Sequence, residues 1–117
     1  MSSPLQRYGI GARLSEMTIH NGTVYLAGQV PVDSSQDITG QTRQVLAQID
    51  DLLAQAGTDK RRILMAQIFL ADLAHFAGMN EVWDEWVPRG EAPCRATVEA
   101  KLAKPEWLVE IVVTAAV

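Results

Sequence analysis

Two stretches of this chain are apolar at almost every position, and the rest of the sequence does not offer enough to cover both sides of them. Residues 62–71 read Arg-Ile-Leu-Met-Ala-Gln-Ile-Phe-Leu-Ala, and residues 107–117 are apolar except for Glu110 and Thr114. Runs of this length, rich in branched and aromatic side chains, predict strands buried on both faces. For 62–71 a helix is the competing reading, because Leu, Met and Ala are good helix formers. Only two segments carry helical apolar spacing. One is 38–56, with Val45, Ile49, Leu52 and Ala56 in line and Leu46 and Leu53 widening the stripe. The other is about 73–87, where Leu73, Phe76, Asn80, Trp83 and Val87 share a face. Two helices cover one side of a sheet. Exposed apolar patches above roughly 300–600 Å² are unusual on a monomer, so the second side predicts association with further copies of the chain.

The remaining elements fill in around these. Segments 16–20 and 23–27 are rich in β-formers and are separated by Asn21-Gly22, a pair suited to the positive φ angles of a type I′ hairpin turn. Asp37 or Thr39 is placed to cap the first helix, Gly57 to end it, and Asp72 to cap the second. Residues 95–101 alternate, with Arg95, Thr97 and Glu99 on one face. The expected order is β-β-α-β-α-β-β. This is an α+β two-layer sandwich, a mixed β-sheet with both helices on one face, formed by residues 1–117 as one domain.

Composition narrows the function classes. Ten basic against 14 acidic residues leave a net charge of −4, which argues against nucleic acid as a partner. The Lys60-Arg61-Arg62 cluster reads as a solvated turn. A single cysteine, Cys94, permits no internal disulfide, and no apolar run approaches the ~20 residues of a membrane span. With no signal-type stretch at the start, the expected location is cytoplasmic. His20 and His75 belong to no metal-ligand spacing, and no glycine-rich phosphate loop occurs, so neither a metal nor a nucleotide cofactor is expected.

The chemistry rests on charges that the strand pattern does not need. Glu110 interrupts a buried strand and Arg95 opens another directly after a loop. A carboxylate in a buried strand has to be paired, hydrated or protonated, and a guanidinium at a strand end is a bidentate clamp for carboxylates. Two readings stand side by side. Arg95 and Glu110 form a structural ion pair, or Arg95 binds a substrate carboxylate while Glu110 positions water. Asn80, polar on an apolar helix face, either hydrogen-bonds to nearby backbone or orients a ligand.

Four segments, in order and at matching spacing, resemble those of the RidA/YjgF (reactive intermediate deaminase) family. They are Ala27-Gly28-Gln29-Val30-Pro31-Val32, Met79-Asn80-Glu81-Val82-Trp83, Ala92-Pro93-Cys94-Arg95-Ala96-Thr97-Val98-Glu99 and Leu108-Val109-Glu110-Ile111. Phe69 to Asp72 with Phe76, Asn80 and Trp83 looks closest to the short YoaB-like branch. The resemblance implies a chorismate-mutase-like fold, a homotrimer with ligand clefts between subunits, and no cofactor. It also implies hydrolysis of enamines and imines such as 2-aminoacrylate to 2-keto acids and ammonia. In that reading Arg95 binds the carboxylate and Glu110 holds or activates water. Gly28 and Thr97 contribute backbone groups to the cleft, and Asn80 supports it. Leu14 and Ala27 fall on cleft positions where the family commonly has tyrosine and serine or threonine, and Thr97 stands where it commonly has cysteine. A keto acid binding or regulatory module without turnover is the alternative.

Overall fold

A computed structural model describes residues 4–117. Its sheet has six strands: β1 Gln6–Ile10, β2 Ser15–His20, β3 Thr23–Leu26, β4 Ile63–Leu70, β5 Cys94–Glu99 and β6 Val109–Ala116. Two helices, α1 Ile38–Gln55 and α2 Phe76–Trp86, complete the fold. The order across the sheet is β1-β2-β3-β6-β4-β5. All neighbours are antiparallel except β4 and β5, which are parallel and joined through α2. The expected β-β-α-β-α-β-β order is present, preceded by one strand, β1, that the sequence pattern did not indicate. All five residues of β1 are exposed, so no apolar alternation marks it, and Gly9 breaks its pleat at φ +62°.

Local chemistry explains where the elements start and stop. Asn21 and Gly22 take φ values of 52° and 76° and close the β2–β3 hairpin. Asp37, rather than Thr39, caps α1, its carboxylate accepting the Gly40 amide N–H at 2.9 Å. That hydrogen bond, with a second from the Thr39 hydroxyl, holds the Asp37 carboxyl below its ordinary value of 3.8. The cap's contribution is therefore complete above that value and is lost as pH falls through the lowered one. Gly57, at φ +79°, turns the chain out of α1. Asp72 caps a short 3-10 turn, Leu73–His75, which runs directly into α2.

One face of the sheet is dry. Met17, Val24, Leu26, Ala66, Ile68, Leu70, Val109, Ile111, Val113 and Ala115 pack under Val45, Leu46, Ile49 and Leu53 of α1 and Met79, Val82 and Trp83 of α2. The other face carries no helix. Strand β4 is thus not buried on both sides within one chain: Ala66, Ile68 and Leu70 are buried, while Leu64, Met65 and Gln67 are exposed. Tyr25, Leu64, Met65 and Val98 are all between 39% and 50% exposed, which makes this open face the apolar surface expected from the sequence.

Buried Gln41 ties the loops at one end of the sandwich. Its amide nitrogen donates to the carbonyls of Ser34, Gln36 and Glu106, and its oxygen accepts the Leu108 N–H at 2.9 Å. Gln41→Leu keeps the volume and strands those backbone groups. A loss of about 2–4 kcal/mol in urea unfolding is expected.

Candidate functional site

Strand register decides where each candidate side chain points. Arg95 is paired with Ala66 and Thr97 with Ile68, both buried residues, so Arg95 and Thr97 face the helices. Glu110 is paired with Phe69, and Phe69 with Val98, so Glu110 faces the open side of the sheet. Within one chain the two charged groups lie on opposite faces. The structural ion pair between them does not exist.

On the helix face, the Arg95 guanidinium meets three residues of one α2 stripe. Its Nη1 donates to Asn80 Oδ1 at 2.8 Å. Its Cζ lies 5.3 Å from the Trp83 ring centroid and 5.9 Å from that of Phe76. No carboxylate pairs with it: among the described residues the one ion pair is Asp59–Arg61, at 3.4 Å. Asn80 thus bonds the Arg95 side chain rather than nearby backbone. Beside it, the Thr97 hydroxyl oxygen is buried without a hydrogen-bond partner.

On the open face, the Glu110 carboxylate lies over Gly28. A Cβ at position 28 would collide with Oε2 and stand 3.0 Å from Cδ. The Gly28 segment is held there by Gln29, whose backbone exchanges two hydrogen bonds with Ile111 at 2.9 and 3.1 Å. The Gln29 side chain, buried on the helix side, donates to Glu16 Oε2 and the Ala27 carbonyl and accepts from Gln48. Ala27 itself bonds the Glu16 carbonyl at 2.9 Å. Leu14 sits in the β1–β2 turn, 58% exposed, directly before β2 and far across the sheet from Arg95 on β5.

The candidates therefore form two groups. Arg95, Thr97 and Asn80 line the β5 edge under α2. Glu110, Gly28 and Ala27 lie together near the strand ends of β3 and β6, with Leu14 beyond them. Two cavities of the chain, about 300 Å³ beside Asp50, Lys60 and Trp86 and about 680 Å³ along residues 99–107, include neither Arg95 nor Glu110. Among the described residues no group of three or more His, Cys, Asp or Glu could hold a metal, and no helix is long and apolar enough to cross a membrane. The stacking of Arg95 on Trp83 and Phe76, and the buried Gln29, were not singled out from the sequence. The 76, 80, 83 spacing was the signal for the first.

The model of the family described as Endoribonuclease L-PSP matches residues 6–117. A RutC family protein of Haemophilus ducreyi is 53% identical over 113 residues, covering 97% of each chain. The chain belongs to the RidA/YjgF family. Within it, the similarity is to YoaB-like members: the RutC family protein YoaB of Escherichia coli is 50% identical over 106 residues, covering 91% of this chain and 92% of that one. The RidA/YjgF fold is shared as closely. The crystal structure of a YjgF family member from Neisseria meningitidis superposes with a TM-score of 0.96 at 46% identity, covering 99% of this chain and 97% of that one.

Proposed function

We propose that this RidA/YjgF chain hydrolyses small carboxylate-bearing enamines and imines to 2-keto acids and ammonia, in clefts formed between copies of the chain in a homotrimer. The observation that carries the reading is Arg95: a guanidinium held by Asn80, lying over aromatic rings and paired with no carboxylate among the described residues. Such a group is a ready clamp for an external carboxylate. Because Glu110 projects from the opposite face, it reaches a ligand on Arg95 only from a second copy. The uncovered apolar sheet face supplies the reason for copies to associate.

The chemistry asked of such a cleft is modest. The bound enamine tautomerises to the imine, its nitrogen losing a proton as the terminal carbon gains one. Water held by Glu110 adds to the C=N carbon, and its proton passes by way of Glu110 to the imine nitrogen. The hydroxyl proton of the resulting carbinolamine moves to that nitrogen as the C–N bond breaks, releasing ammonia and leaving the keto acid. Positioning and one acid/base group, worth about 10²–10⁴-fold, suffice for a reaction that already proceeds in water. The test is the decay of 2-aminoacrylate generated in situ from an amino acid. Faster decay with the protein present supports turnover, and an unchanged decay rate with several such substrates sinks it.

Leu14 and Ala27 favour a second reading, in which the cleft binds a keto acid without turnover, because neither side chain supplies a hydroxyl. That reading predicts a ligand-dependent rise in melting temperature with no acceleration of imine decay. The ribonuclease named in the family's description is not carried over, since a net charge of −4 gives RNA no bulk attraction.

Gly28 offers a probe of the Glu110 half. Gly28→Ala pushes the flexible carboxylate aside at little cost to the fold. Turnover is expected to fall about 10- to 100-fold, while 2-oxobutanoate binding, measured by calorimetry, changes far less.

A further inference from the structure

We propose that Trp83 is a positioning residue for Arg95: its indole face stabilises the guanidinium without offering it a competing anion, which keeps one edge of the guanidinium open for the ligand. This rests on the reading of Arg95 as a carboxylate clamp. A half-buried cation needs compensation. A protein carboxylate would supply it, and would then compete with the ligand for the same N–H donors. An aromatic face attracts the cation through its quadrupole and uses none of those donors, and tryptophan does this best.

The geometry fits that division of labour. Trp83 is 5% exposed and held in the core, with the Trp86 ring 5.4 Å away at 47°. Its centroid lies 5.3 Å from Arg95 Cζ. Asn80, one turn earlier on the same stripe, takes an Nη1 hydrogen at 2.8 Å. The guanidinium lies over the indole ring, and the bond to Asn80 holds its Nη1. The edge formed by Nε–H and Nη2–H is left over, and that edge matches the two oxygens of a carboxylate. Phe76, at 5.9 Å and 38% exposed, adds a second, outer ring.

A tryptophan that merely fills the core predicts something different, and the full-length protein separates the two. Calorimetric titration with 2-oxobutanoate would compare wild type, Trp83→Phe and Trp83→Leu, alongside thermal melts and the ¹⁵N-detected Nε–Hε signal of Arg95. Both substitutions remove core volume and lower the melting temperature. Only the leucine removes the π face. Trp83→Leu is expected to weaken binding about ten-fold or more and Trp83→Phe about three-fold or less. The Nε–Hε proton should be slowed in exchange by added ligand in wild type and Trp83→Phe and be slowed little in Trp83→Leu. Equal affinities for the two variants, or equal slowing in all three proteins, would overturn the proposal while leaving the carboxylate reading intact. A wild type that does not bind 2-oxobutanoate would overturn both. Should Trp83→Leu fail to fold, Phe76→Leu against Phe76→Tyr makes the same comparison at an exposed position, with an expected loss of about two- to five-fold for the leucine alone.

Discussion

Arg95→Ala is expected to abolish measurable binding of 2-oxobutanoate, with a loss of about 10²–10³-fold or more, because the proposed clamp would lose two charge-assisted hydrogen bonds together. Stability should hardly follow. Among the described residues the guanidinium makes one hydrogen bond and no ion pair, so its removal leaves no buried charge stranded. A change within about 1–2 kcal/mol in urea unfolding is expected, covering the bond to Asn80 and the ring contacts. Arg95→Lys keeps the charge and loses the fork. It should recover part of the affinity, because an ammonium meets a carboxylate as a point charge. The combination of lost binding and retained stability is the signature of a group held for an external ligand. Wild-type affinity in Arg95→Ala would remove the functional reading at its root.

Glu110→Gln is expected to lower imine turnover by about 10²–10⁴-fold while leaving 2-oxobutanoate binding near wild type, since in the proposed reaction Glu110 holds water and does not bind the carboxylate. The larger consequence comes from mixing. If one copy supplies Arg95 and its neighbour Glu110, co-expressed Arg95→Ala and Glu110→Gln chains reassemble some intact clefts. Random mixing of equal amounts puts both wild-type groups in about a quarter of them. Two preparations that are each nearly inactive should together show about a quarter of wild-type turnover per cleft, read as the rate of imine decay. Activity no higher than the sum of the separate preparations would show that the two groups do not share a cleft between chains.

Several features of this fold are legible in the sequence because they are governed by local chemistry. Asn21-Gly22 closes a hairpin at positive φ, Asp37 caps a helix, Gly57 ends it, and the 3.6-residue period of 38–56 marks the face that meets the sheet. The stripe read over 73–87 was only partly right: Trp83 is buried, but Leu73 and Phe76 are exposed and Met79 and Val82 take the core positions. The β1 strand was not legible. Its sequence, Gln-Arg-Tyr-Gly-Ile, buries nothing, and it exists through pairing with β2. The double-sided burial read for 62–71 was correct about apolarity but not about one chain, since the open-face residues Leu64 and Met65 stay exposed until something covers them.

For the site, composition and spacing marked Arg95, Glu110 and Asn80 as polar groups that a packed strand or helix does not need, and the resemblance supplied roles for them. Which of these groups share a surface was settled by register. Side chains alternate along a strand with period two, and a slip of one residue sends every side chain to the other face. The pairing of Arg95 with Ala66 and of Glu110 with Phe69 is a long-range fact, set by how β4 lies between β5 and β6. The sequence alone determined the elements and the unusual charges, because turns, caps and periodicity act over a few residues. Only the tertiary structure decided that the guanidinium rests on Trp83 and the carboxylate looks the other way, because that depends on strands brought together from distant parts of the chain.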